Sequence, residues 1–318
     1  MRQKPAFDPG LTQRFDAPLR RVINKDGSFN VRRNGASWRA FHPWLHVVNM
    51  SWSGFVLLVV GFYLGLNLGF AALYFRLGAD AVIGSAAPTE AERLLNCFFF
   101  SGHTLTTVGY GTLAPHGVAA NMAATLEALV GLLGFAVITG LLVARVSRPS
   151  ARIQYSANAL IAPYQDGTAL MFRIANERSN NLMELEAQVM LMQVVSQQDG
   201  HLERKFDLLA LERSQVLLFP LTWTIVHPVD EHSALWGKTA EDLVRVQAEI
   251  IILIKGFDET FSQVVHTRYS YRAHEIVWGA KFTPAFRVDA AGGLELELNK
   301  VGDYRPHPSP ASAGRIDS

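Results

Sequence analysis

The chain has 318 residues, enough for two domains. Its 29 Lys and Arg against 28 Asp and Glu leave a formal net charge of +1, which gives no case for nucleic acid as a partner. The one cysteine, Cys97, excludes an intrachain disulfide.

Residues 1–35 are rich in Arg, Asn, Gly and Pro and read as a mostly extended arm. The first forty residues are polar and basic, so no cleavable signal peptide is expected. Over residues 36–50, Trp38, Phe41, Leu45 and Val48 recur at helical spacing, and Pro43 marks a helix start. This helix either lies along a membrane surface, with Trp38, Trp44 and Trp52 as an aromatic belt, or packs on a later domain.

Residues 51–150 carry two long apolar runs, from about Ser51 to Tyr74 and from about Val118 to Val143. Each exceeds the ~20 residues needed to cross a bilayer. Nine Lys and Arg from Arg2 to Arg39 precede the first run, and Arg145, Arg148 and Arg152 follow the second. Only Arg76 and Arg93 lie between. The positive-inside rule then puts both termini in the cytoplasm, as expected for a multi-pass inner-membrane protein.

Between the runs, Ala91–Thr104 is too short to span and suits a re-entrant helix, its negative dipole end aimed at an ion path. It leads into Thr106-Thr107-Val108-Gly109-Tyr110-Gly111. A dehydrated cation needs a cage of oxygens, and consecutive carbonyls supply one if all point at a single axis. An ordinary strand alternates its carbonyls, so some residues must take unusual angles, which Gly109 and Gly111 do without a Cβ penalty. Val108 and Tyr110 then point away and pack behind the loop. The signature resembles the filter of K⁺ channels, in which carbonyls of Thr107, Val108, Gly109 and Tyr110 and the Thr107 hydroxyl would hold K⁺. One loop per chain implies a homotetramer with cyclic symmetry.

Residues 151–300 change texture. Leu170, Phe172 and Ile174 alternate with Met171, Arg173 and Ala175, Ile250–Ile254 is a β-branched run, and His266–Tyr271 alternates again. With turn signals at Gln165-Asp166-Gly167 and Gln198-Asp199-Gly200, these predict a β-sandwich. The Pro/Ser/Ala-rich stretch 301–318 reads as a disordered tail.

Over roughly residues 35–290 the chain resembles the inward-rectifier K⁺ channel family, in its bacterial KirBac branch. The likeness rests on Phe98-Phe99-Phe100-Ser101 before the filter and on Thr125-Leu126-Glu127 through Thr139-Gly140, Ala144-Arg145 and Arg148-Pro149. It rests also on Phe172-Arg173, Asn176, Arg178, His227, Asp230-Glu231, Glu275-Ile276 and Trp278-Gly279. The resemblance implies two transmembrane helices plus a re-entrant pore helix above a cytoplasmic immunoglobulin-like β-sandwich. It implies no cofactor beyond K⁺ as permeant ion.

Departures from the family pattern bear on function. His103, Phe135 and Lys255 stand where many or several members have an acid, Ala234 where a proline is usual, and the paired extracellular cysteines are absent. Phe135, Thr139 and Val143 share one helix face and read as a pore-facing gate, or else as packing residues. Gly131, Gly134 and Gly140 read as hinge positions. Glu127, ionisable inside a span, is expected to brace the pore helix, either through His103 or through backbone and water alone. Arg145, Arg148 and Arg152 either bind anionic lipid or only set topology. Glu184, with Glu186 two residues on, would line a cytoplasmic vestibule. Lys255 either opposes these acids there, so that Mg²⁺ or polyamine blocks only weakly, or pairs with a neighbouring acid and never faces the ions.

A membrane-anchored binding module and a K⁺ transporter are the competing classes. An intact filter argues against the first, and a single filter loop against the second. No nucleophile–base motif points to an enzyme.

Overall fold

The computed structural model describes residues 9–11, 14–15, 21–31, 34–35, 42–147, 152–196 and 201–307. Trp38, Phe41, Arg148 and the Gln198–Gly200 turn signal lie outside the described residues. The chain divides into two compact units, one of residues 34–148 and one of residues 1–33 with 149–318.

In chain order the elements begin with β1 (Arg14–Phe15), α1 (Pro43–Asn49), α2 (Trp52–Leu77) and β2 (Val82–Ile83). There follow α3 (Glu90–Leu105), β3 (Ala114–Pro115) and α4 (Gly117–Val146). Pro43 opens α1, where its missing N–H costs nothing. The Ser51 and Thr89 side chains cap α2 and α3, each accepting from a backbone N–H three residues on. Both α2 and α4 are long and apolar enough to cross a membrane, and little of their surface is buried within one chain. α3 packs on both, through Tyr74, Cys97, Phe100 and Ala123.

The second unit is β-rich. Its strands are β4 (Ile153–Tyr155), β5 (Ala159–Tyr164), β6 (Gly167–Asn176), β7 (Leu182–Ser196), β8 (Leu202–Leu209), β9 (Gln215–Leu218) and β10 (Thr222–Val229). The short α5 (Ala240–Arg245) precedes β11 (Glu249–Asp258) and β12 (Gln263–Arg272). Then come β13 (Ile276–Trp278), β14 (Ala280–Phe282), β15 (Phe286–Val288), β16 (Leu294–Leu296) and β17 (Tyr304–Pro306). One sheet runs β1-β8-β7-β11-β12 with β9 on β7, and the other β10-β6-β5-β13 with β4 on β6. Leu185, Val189, Ile250 and Ile252 of the first share a core with Leu170, Phe172, Ile174 and Ile225 of the second. Tyr164 and Gly167 close the β5–β6 hairpin, with Gln165 at φ 49°.

The arm is docked rather than free. Val22 and Ile23 donate backbone N–H groups to the buried Glu249 carboxylate, and the Ser270 hydroxyl donates to the Ile23 carbonyl. Arg21 and Lys25 pair with Glu275. Burial pushes the Glu275 carboxyl up, but the Arg272 backbone N–H and the Lys25 and Arg21 cations together hold it below its usual range.

The β6 alternation differs from a half-solvated strand, because both faces of β6 are covered. Met171 packs with Ala162, Ala169 and Val226 against Phe282, and Arg173 donates to the Thr283 carbonyl at 2.7 Å. This covering also corrects the reading of 301–318 as a disordered tail. Val301 is fully buried, β17 pairs antiparallel with β14, and only 308–318 lie outside the described residues. The composition average of the tail hides Val301 and Tyr304. In the full-length protein, Val301→Asp places an unpaired charge in this contact and should cost about 3 kcal/mol or more. Tryptic cleavage at Lys281, in the β14 strand that β17 covers, should then quicken at least ~10-fold. Equal cleavage rates would return residues 301–307 to a dispensable tail.

Candidate functional site

The site is the loop between α3 and β3. Thr107 has φ 58°, Gly109 φ 55° and Gly111 φ 81°. Alternate residues thus occupy the left-handed region, with Val108 and Tyr110 between them outside it. Glycine takes this region freely, but a β-branched threonine does not, so Thr107 is a strained position that no sequence propensity foretold.

The hydrogen bonding of the loop is one-sided. The N–H groups of Thr106, Thr107, Val108 and Gly109 all donate back to the end of α3, to the carbonyls of Gly102, Thr104 and His103. Thr106 Oγ1 adds a bond to the Gly102 carbonyl at 2.6 Å. Among the described residues, the carbonyls of Thr107, Val108, Gly109 and Tyr110 accept no hydrogen bond. Val108 and Tyr110 do not pack behind the loop within one chain. They are 52% and 71% exposed, and the Tyr110 ring meets the His103 ring edge to face, at 4.8 Å between ring centres.

Glu127 of α4 is fully buried behind α3. It accepts from the Ser101 hydroxyl of α3, and from the Tyr74 hydroxyl of α2 at 2.7 Å. Ser101 also donates to the Asn67 carbonyl at 3.2 Å. Glu127 thus braces α3, and both expected partner sets, His103 and backbone or water alone, are corrected. His103 turns to Tyr110, and two hydroxyl groups on neighbouring helices occupy the carboxylate. Neither Ser101 nor Tyr74 was singled out as its partner, because hydroxyls on separate helices leave no periodic trace.

Gly131 also has a role other than a free hinge. A Cβ there would collide with the Leu105 backbone, so the glycine lets the end of α3 touch α4. A Cβ on Gly134 would meet the Phe62 ring at 3.6 Å, an ordinary contact, Gly140 is open, and α4 runs unbroken through all three. Phe135, Thr139 and Val143 are all exposed in the single chain. Flanking the loop, β2 pairs with β3, and the His116 N–H donates to the Ala81 carbonyl at 2.8 Å.

Arg145 is not a free headgroup contact. It donates to the carbonyls of Val47, Val48 and Met50 at 2.7, 3.1 and 2.8 Å. Arg152 is exposed, and Arg148 lies outside the described residues.

In the β-rich unit, Glu184, Glu186 and Lys255 line one recess of about 480 Å³ with Gln215, Gly256 and Val264. Glu184 sits at φ 51° where the β7–β11 register shifts, an irregularity that re-aims its side chain. Lys255 lies directly across from Glu186 with Nζ 3.8 Å from its carboxylate. Lys255 thus meets a neighbouring acid while its side chain stays 52% exposed in the recess.

Comparison with known proteins decides the family. The model for the inward rectifier potassium channel C-terminal domain matches residues 153–314, and an ion channel model matches residues 52–148. This chain belongs to the inward rectifier potassium channel family. It is 38% identical to the inward rectifier potassium channel Kirbac3.1 of Paramagnetospirillum magnetotacticum, over 88% of this chain and 94% of that one. It is 27% identical to the human ATP-sensitive inward rectifier potassium channel 10, over 91% of this chain and 80% of that one. Likeness to the solved Spo0M of Bacillus subtilis is slight, with a TM-score of 0.21 at 9% identity over 43% of this chain and 59% of that one, and carries no argument. The relatives are ion channels and not enzymes. With two spanning helices inside the matched channel region, the chain is a membrane protein.

Removing either hydroxyl from Glu127, by Ser101→Ala or Tyr74→Phe, should cost about 1–3 kcal/mol, since a buried acceptor loses its donor. His103→Ala should cost less. Thermal unfolding of the detergent-solubilised protein checks the order, and a His103 variant weaker than both others would restore the discarded pairing.

Proposed function

We propose that four copies of this chain close a cyclic pore that conducts K⁺ passively and selectively. The observation that carries the reading is the loop backbone. Its N–H groups are bonded behind it, its angles alternate between hands at Thr107, Gly109 and Gly111, and four successive carbonyls stay unbonded. Such carbonyls can replace the hydration shell of an ion. Carbonyls of Thr107, Val108, Gly109 and Tyr110 hold K⁺, and the Thr107 hydroxyl closes the inner end. In the tetramer, Val108 and Tyr110 find cover on neighbouring protein, which their exposure in one chain calls for.

The rest follows the family. The β-rich unit is the cytoplasmic immunoglobulin-like sandwich, and both termini are cytoplasmic at the inner membrane. Phe135, Thr139 and Val143 ring the pore, and their apolar girdle closes it by excluding water. Gly134 and Gly140 are the remaining places for α4 to bend. Arg152, with Arg148, takes anionic lipid. The site needs no cofactor, and K⁺ is the passenger.

Rectification is weak. A blocking Mg²⁺ or polyamine needs rings of carboxylate to hold it. Phe135 offers no charge in the cavity, and Lys255 offsets Glu186 in the vestibule, leaving Glu184 as the uncompensated acid of that recess. The exposed Lys255–Glu186 pair adds little stability, so its effect is on potential.

Two measurements test the reading. K⁺ against Na⁺ flux through purified protein in liposomes should favour K⁺, and Gly109→Ala should abolish that selectivity because a Cβ opposes the left-handed angle. Selective flux surviving in the variant would sink the filter assignment. With spermine on the cytoplasmic side, wild-type current should show shallow block and Lys255→Glu deeper block. Steep voltage-dependent block of the wild type would refute weak rectification.

A further inference from the structure

Ile250 and Ile252 of β11 point into the core between the sheets, so Glu249 and Ile251 point to the other face. Glu249 lies across from Arg272 of β12 on one side and from Met192 of β7 on the other. Val194, two residues beyond Met192, lies across from Arg204 of β8. Residues directly opposite in a sheet share a face, so four adjacent strands carry Arg204, Met192, Glu249 and Arg272 on the side away from the core. There they line a recess of about 200 Å³, to which the exposed Gln247 and His274 add further polar groups. Among the residues that line it, two guanidinium groups face one carboxylate. That carboxylate is already engaged by the arm, since Glu249 accepts from the Val22 N–H at 3.0 and 3.1 Å and from the Ile23 N–H at 3.4 Å. The neighbouring Glu275 is engaged by Arg21, Lys25 and the Arg272 backbone N–H. Arg204 is only 8% exposed, and burial pulls its pKa below the ordinary range against the opposing charge of Glu249.

We propose that this recess binds a small doubly charged oxyanion of the phosphate class, held between the Arg204 and Arg272 guanidinium groups. The inference stands on the β-rich unit alone and does not rest on the pore reading. An excess of buried positive charge is costly until an anion meets it. The apolar wall of Met192, Val244 and Ala273 lowers the local dielectric, which strengthens that attraction. A guanidinium offers an oxyanion two parallel N–H groups, a fit that a lysine at either position would lack. Size narrows the class. Sites that enclose drug-sized ligands measure about 300–1,000 Å³, so this recess takes a free phosphate and is too small to enclose a nucleotide.

The probe is inorganic phosphate, titrated into the full detergent-solubilised chain at roughly physiological ionic strength. Saturable binding with a dissociation constant of about 1 mM or below is expected. Sulfate should displace the phosphate, while KCl at equal ionic strength and vesicles holding phosphatidic acid at equal phosphate concentration should not. ATP should compete at least about tenfold less well than sulfate. Arg272→Gln and Arg204→Lys should each weaken phosphate binding at least about tenfold, the loss of one charge-assisted pair of hydrogen bonds. Hydrogen exchange of the Val22 and Ile23 amides, which donate to Glu249, reads whether the frame of the recess is intact in each variant. A variant that loosens these amides is set aside and the other decides; if both loosen them, the wild-type displacement series decides. Absence of saturable binding, ATP or phosphatidic acid competing as well as sulfate, or intact variants binding as the wild type does would each overturn the proposal. Displacement by KCl would mark an adventitious ion only and overturn it as well.

Discussion

Inside a bilayer no water is present to satisfy a backbone that leaves helix or strand, so irregular backbone survives there only when protein holds it. The loop from Thr106 to Gly111 is irregular in this sense, and the unit around it is arranged to hold it. Four of its N–H groups are anchored on the end of α3. The end of α3 is in turn pressed onto α4 at Gly131, where only hydrogen fits. Further up, Ser101 ties α3 to Glu127 of α4, and Tyr74 brings α2 to the same carboxylate. One buried acid therefore fastens three helices behind a loop whose carbonyls must stay free.

Charged side chains in this unit are used in bonds as well as in topology. Arg93 donates to the Phe75 carbonyl near the end of α2 and lies over the Phe75 ring at 3.7 Å. Arg145 does the same for the end of α1. In both places a guanidinium meets carbonyls that a preceding helix leaves open, and an aromatic ring shields the contact. Counting Lys and Arg on either side of the spans gave only an expected orientation. It did not reveal that individual arginines are already committed.

Elements whose signal is local were legible in the sequence. Ala91–Thr104 became α3 at Glu90–Leu105, and the second apolar run became α4 with three residues more at its C-terminal end. Glycines at 109 and 111 announced left-handed backbone, and both have it. What stayed hidden depends on partners far along the chain. Glu127 is 26 residues from Ser101 and 53 from Tyr74, so no spacing rule joins them. Thr107 hides behind its own β-branched side chain, which argues against the angle it takes. The ordered stretch at Val301 and Tyr304 hides in a polar composition, and only the open outer face of β6, with Arg173 and Met171, gives it a place to dock.

The three departures from the family's acids have a common sense and separate structural grounds. His103 meets the Tyr110 ring edge to face and takes no part in the Glu127 network. A carboxyl there would lie within the same short stretch of α3 as Ser101, adding a second acid to a membrane-buried neighbourhood that already holds Glu127. At 255 the argument is sharper. The position faces Glu186 directly across an antiparallel pair, and Glu184 lines the same recess. An acid at 255 would set like charges opposite each other, which destabilises a sheet, whereas lysine turns the same register into an attractive pair. On the proposed ion path each change makes the lining less negative, and Phe135 removes charge from the cavity outright. Affinity for a multivalent blocker falls with each lost carboxylate ring, while K⁺, met by neutral carbonyls in the filter, needs none of them. At 255 the residue that settles the strand pairing is therefore also the one that makes the proposed lining less negative.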